Sequence, residues 1–164
     1  MSQLNSLTEF LQQTLPERVR DFDSYIDEQK IVVSNKDMGM GQHRIGYTTY
    51  SGELRWDSWP YRLCDPQLLY TLVLVWLGEY GNAIREELSM DDPDIDPQVI
   101  DEQTAIVSVS IPLVDELGII EDENGSIPYN GKRWRIGTPV VLIAETATVY
   151  GADTVGANVD GGGE

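Results

Sequence analysis

The chain has 164 residues and a formal charge of −17, with 28 acidic side chains against 11 basic ones. This length suffices for one hydrophobic core without disulfides or a metal, and the charge opposes the long-range attraction on which an ordinary nucleic-acid-binding module depends. The single cysteine, Cys64, cannot form an internal bridge, and the longest apolar run, Leu72 to Leu77, is too short to span a bilayer.

No basic and apolar leader opens the sequence, so a protein made in the cytoplasm with no secretory signal is expected. Ser6-Leu7-Thr8-Glu9 has the form of a capping box, and Leu7, Phe10, Leu11 and Leu15 follow at helical spacing. A first helix is predicted from about Leu7, interrupted near Pro16 and resuming through Phe22 to Ile26. Lys30 to Trp59 reads as two or three short strands, broken by Gly39, Gly41, Gly46 and Gly52. Gly39-Met40-Gly41 lacks the third glycine of a dinucleotide fingerprint and is read as a mobile loop.

Asp65-Pro66 is a helix start, with Asp65 as N-cap, and the segment that follows, Leu68 to Leu77, is apolar on nearly every side. Such a helix must be covered, by the core or by another subunit. Asp91 to Asp96, with Pro93 and Pro97, reads as a linker, whereas Thr104 to Ile111 alternates like a half-buried strand with Ala105, Val107, Val109 and Ile111 inward. Glu123-Asn124-Gly125 is predicted to be a tight hairpin turn between Ile119-Ile120 and Ser126 to Tyr129. Val140 to Tyr150 is β-rich, and Gly151 to Glu164 is a Gly-rich acidic tail. The order of elements predicts an α+β fold: one domain over residues 1–150, a mainly antiparallel sheet against two main helices, with 151–164 as a flexible tail.

The sequence holds few candidates for chemistry. His43 is the one histidine and is read as an exposed loop residue, since no motif places a nucleophile or an orienting acid beside it. Asp92, Asp94 and Asp96 alternate like the opening of a calcium loop, but Pro93 and Pro97 intrude and the required glycine and glutamate are missing. No catalytic residue, metal site or cofactor is expected. Trp56, Trp59, Tyr61 and Trp134 lie in sequence beside Arg55, Arg62, Arg133 and Arg135, the residue mix of an interface, although ordinary core packing accounts for tryptophan equally well. The candidate subunit interface is therefore Trp56, Trp59, Tyr61, Arg62, Lys132, Arg133, Trp134 and Arg135. Between Arg85 and Lys132 there is no basic residue but thirteen acids, and Asp91, Asp92, Asp94, Asp96, Asp101 and Glu102 form a candidate acidic face to receive Lys132 to Arg135 of a neighbour.

Several pieces in order resemble the GpR-like family of tail completion proteins, the tail terminators of contractile-tailed bacteriophages. They are the helix opening at Ser6-Leu7, the apolar helix Leu68 to Leu77 closing in Trp76-Leu77, the alternating strand Ala105 to Leu113 with Glu116 after it, and the turn Glu123-Asn124-Gly125. The likeness covers about Leu4 to Tyr129, while the Gly-rich 37–46 segment is long and the chain after Gly131 has no counterpart. The resemblance implies a non-enzymatic virion protein assembled in the host cytoplasm. Its homohexameric ring would cap the tail tube, contact sheath and neck or head-completion proteins, and let DNA pass without specific binding; no membrane is involved. An acidic inhibitor that mimics DNA is the alternative. Half the acids crowd into Pro- and Gly-broken segments, a poor match to phosphate-like spacing.

Overall fold

The computed structural model describes residues 2–81 and 83–138. In chain order these form α1 (Gln3–Thr14), a 3-10 turn (Glu17–Val19), β1 (Asp23–Gly39), β2 (Gln42–Trp59), α2 (Gln67–Tyr80), α3 (Ile84–Glu87), β3 (Asp94–Val99), β4 (Ala105–Glu121), β5 (Ile127–Tyr129) and β6 (Lys132–Ile136). The strands run β1-β2-β4-β6-β5, with β3 also on β4, and β3 with β4, β4 with β6 and β5 with β6 pair antiparallel. The fold class is α+β. The chain divides into two compact units, residues 1–34 with 45–117 and residues 35–44 with 118 onward. The predicted Val140 to Tyr150 segment and the 151–164 tail lie outside the described residues.

In the first unit, α1 begins one turn earlier than the Ser6–Glu9 box predicted. Ser2 is its N-cap, accepting from the Asn5 amide at 3.1 Å, and Ser6 is already inside the helix, donating its amide to Ser2 O. Leu4, Leu7 and Leu11 then fall on one face and are buried, and Pro16 ends the helix. No helix resumes at Phe22: the chain turns into β1, and Phe22 stacks on Trp56 of β2 at 4.6 Å. Sheet pairing and this aromatic contact outweigh a weak local helical pattern.

Asp65 starts α2 as predicted, its Oδ1 accepting the Gln67 amide at 3.0 Å. Leu69, Val73 and Trp76 recur at helical spacing and are buried against α1 and the sheet, in a core shared with Leu54, Trp59, Cys64, Val107, Val109 and Ile111. The outer side of α2 is not covered. Leu74 is 59% exposed, and Leu68 and Val75 are exposed beside it.

The predicted linker at 91–96 is in part a strand. β3 pairs with β4 from Asp94↔Ser110 to Val99↔Ala105. The connecting turn is held by Asp101, whose Oδ1 accepts the amides of Gln103 and Thr104, both at 2.8 Å, and the Thr104 hydroxyl at 3.1 Å. Those bonds hold its carboxyl below the usual range. Proline and acids in the sequence resemble a linker, yet they are also the residues an edge strand tolerates.

In the second unit, the Gly-rich segment is a two-residue turn, Met40-Gly41, between paired strands rather than a mobile loop. The tight hairpin turn is Asn130-Gly131, with φ of 52° and 73°, joining β5 to β6. The predicted turn at Asn124-Gly125 does not join paired neighbours. It carries the chain past β6, which lies between β4 and β5.

Candidate functional site

All three tryptophans expected at an interface are internal. Trp56, Trp59 and Trp134 are 3%, 0% and 7% exposed. Each indole N–H is satisfied within its own unit: Trp56 donates to Val19 O at 2.7 Å, Trp59 to Cys64 O at 2.8 Å, and Trp134 to Tyr129 O at 2.8 Å. A buried ring with its donor met has nothing left to offer a partner, so these residues leave the contact surface.

Tyr61 and Arg62 do meet the acidic stretch, but in their own chain and through its backbone. The Tyr61 hydroxyl donates to Asp101 O at 2.8 Å and Arg62 Nε donates to Glu102 O. The carboxylates of Asp91, Asp92, Asp94, Asp96 and Glu102 belong to exposed residues. Arg85 reaches this region from inside: it donates to Pro112 O and, at 2.8 Å, to Asp91 O, and burial pushes its guanidinium pKa down.

The basic strip is engaged within the second unit. Lys132 Nζ lies 2.8 Å from Glu121, Arg135 Nε 3.7 Å from Asp122, and Arg133 Nε donates to Gly125 O at 3.0 Å. Glu121 raises the Lys132 pKa, though such exposed pairs are readily exchanged for others. His43 is a half-buried residue of β2 rather than an exposed loop residue. It contacts Asn35 Oδ1, and its ring lies 5.2 Å from Tyr129 and 6.3 Å from Trp134.

A cleft of about 350 Å³ in the first unit is lined by Arg18, Phe22, Arg55, Trp56 and Asp57 among others. Arg55 is already bound to Asp57 at 2.7 Å, which raises its pKa. Among the described residues no group of three or more His, Cys, Asp or Glu could hold a metal ion, and no helix is long and apolar enough to cross a membrane.

The surface that residue-by-residue reading missed is apolar. On β1, Ile31 and Val33 are 78% and 86% exposed, and around β3 Ile95, Val99 and Ile100 are exposed as well. Ile31-Val32-Val33 was visible as a strand, but only the sheet order shows that the strand is an edge.

Set against known families, residues 1–139 match the model of the P2 phage tail completion protein R (GpR). The chain belongs to the GpR family. It is also 25% identical over 144 residues to an uncharacterised 19.2 kDa protein in the rep-hol intergenic region of Haemophilus phage HP1 (strain HP1c1), covering 87% of this chain and 86% of that one. No solved structure gives a significant match. The family is one of bacteriophage tail completion, a tail-related structural role, and its match runs beyond Tyr129, where the likeness seen in the sequence ended, through β6.

Proposed function

We propose that this GpR-family chain is a tail terminator: a virion protein, not an enzyme, that closes into a homohexameric ring, caps the tail tube and joins it to the neck. The observation that carries this reading is the bare outer side of α2, where Leu68, Leu74 and Val75 stand exposed on a chain of charge −17. Exposed apolar surface of this kind marks an interaction site, and an uncharged patch is where mutually repelling copies can still meet.

Tyr61, Arg62, Lys132, Arg133 and Arg135 remain available at or near the surface to meet the acidic stretch of a neighbour, exchanging their present partners for new ones. Tail tube, sheath and neck proteins are the other partners. An acidic channel would let DNA pass without adhering to it. Light scattering on eluting protein, followed by negative-stain imaging, tests the reading. Closed rings are expected, and a chain that stays monomeric at high concentration overturns it.

A further inference from the structure

Three strands have a single ladder neighbour among the described residues: the 17-residue β1 pairs only with β2, the six-residue β3 only with β4, and β5, of three residues, only with β6. An edge strand presents unpaired amides and carbonyls, and proteins guard such edges with charge or proline. Over residues 30–36 of β1 and 94–97 of β3 the two edges are guarded with opposite signs, while Asp23, Asp27, Glu28 and Asp37 also lie on β1 outside that segment. On β3, Asp94 and Asp96 precede Pro97, and exposed Val99 and Ile100 follow. On β1, the exposed residues Lys30 and Lys36 bracket Ile31 and Val33, which stand two residues apart on one face.

We infer that β1 of one copy pairs antiparallel with β3 of the next, so that the sheet continues from subunit to subunit. This rests on the reading of the chain as a self-assembling ring and names the surfaces that close it. Running residues 30–36 against residues 94–100 sets Lys36 opposite Asp94 and Ile31 opposite Val99, and brings Lys30 next to Asp101. Opposite charges and β-branched apolar pairs across strands are both favourable. Pro97 falls opposite Val33 and supplies no amide donor, which leaves one gap in the ladder.

The same residues disfavour two-fold contacts. Antiparallel pairing of β1 with β1 about Val33 puts Lys30 opposite Lys36, and pairing of β3 with β3 about Ile95 puts Asp94 opposite Asp96. Like charges directly opposite are destabilising. The contact that remains joins two different patches, as a ring of head-to-tail subunits requires.

The test uses two charge-reversed full-length chains, Lys30→Glu with Lys36→Glu, and Asp94→Lys with Asp96→Lys. Each alone should self-associate about tenfold more weakly or worse by light scattering, with an unchanged circular dichroism melt. Mixing the two should restore assembly, since each then offers the edge the other lacks. As a second readout in a Cys64→Ala background, Ile31→Cys chains mixed with Val99→Cys chains under oxidised glutathione should give a covalent dimer. Wild-type oligomers that survive both reversals, a mixture that fails to reassemble, or rings without the 31–99 cross-link overturn the strand pairing alone. A wild-type chain that never leaves the monomer state removes the ring reading itself, and the strand pairing with it.

Discussion

Tyr50 donates its hydroxyl to Asp115 Oδ2 at 2.8 Å, and this contact between β2 and β4 carries the start of α1 with it. Asp115 Oδ1 accepts the Gln3 amide at 2.8 Å, and the Tyr50 oxygen accepts the Leu4 amide at 3.2 Å. Two amides of the first turn, which have no partner within the helix, are thus met from the sheet, and a carboxylate sits at the positive end of α1. Asp115→Ala leaves the Gln3 amide and the buried Tyr50 hydroxyl without this acceptor. A loss of about 1–3 kcal/mol is expected, seen as a lower urea midpoint at constant slope.

The same pair makes stability fall at alkaline pH. Burial first, and the bond to Asp115 second, push the Tyr50 pKa well above that of an ordinary phenol. The folded chain therefore holds this proton more tightly than the unfolded chain, whose phenol titrates near about pH 10. The contribution is complete below that pH and is lost as pH rises through the folded pKa. Every other ionisable group is common to wild type and Tyr50→Phe and cancels in the difference between them. The stability gap between the two should hold up to about pH 9 and shrink as pH rises above about 10; a constant gap refutes the assignment.

What the sequence made legible was periodicity; what it concealed was context. The alternation from Ala105 to Ile111 and the Asp65-Pro66 start of α2 appear in the structure where the pattern put them, because each is decided within a few residues. The Ser6–Glu9 box failed because Ser2, one turn earlier, caps the helix while the sheet supplies Asp115. Trp56 and Trp59 read equally well as core or interface, and only the burial of α1 and α2 against β2 places them inside. The exposed Ile31 and Val33 carried no warning, since a strand's position in the sheet is a long-range property.

Two glycines of the second unit separate conformational from steric demand. Gly131 has φ of +73° in a turn with open space around it, so Gly131→Ala should cost about 1 kcal/mol through backbone strain. At Gly125 a Cβ would stand 2.1 Å from the Trp134 carbonyl oxygen and 2.9 Å from its amide nitrogen, so the β6 backbone must move. Gly125→Ala should cost about 1–3 kcal/mol and disturb the Trp134 fluorescence, which Gly131→Ala leaves unchanged.

Arg85 ties α3 to the acidic stretch by donating to Pro112 O and Asp91 O. Its guanidinium gives up solvent to do so, as the lowered pKa records. Arg85→Met keeps most of the stem packing but leaves both carbonyls without this donor. A loss of about 1–3 kcal/mol is expected, with faster amide exchange concentrated at Ser89 to Asp92; uniform exchange across the chain counts against the tie.

The two sides of α2 should respond oppositely to the same change. Leu69 is fully buried against the core, so Leu69→Ala opens a cavity and should cost about 2–5 kcal/mol. Leu74, five residues along and 59% exposed, touches too little for that, and Leu74→Ala should stay within about 0.5 kcal/mol of wild type. Placing a charge there is the sharper probe: Leu74→Asp keeps the monomer's melting curve but sets a carboxylate on an apolar patch through which copies of charge −17 are proposed to meet, separate from the strand edges. Self-association of Leu74→Asp should weaken by about tenfold or more and recover little with salt, because the loss is of apolar contact and buried charge rather than of screened repulsion. If Leu74→Asp assembles like wild type, α2 faces solvent in the ring, and the contacts that close it must lie on the strand edges.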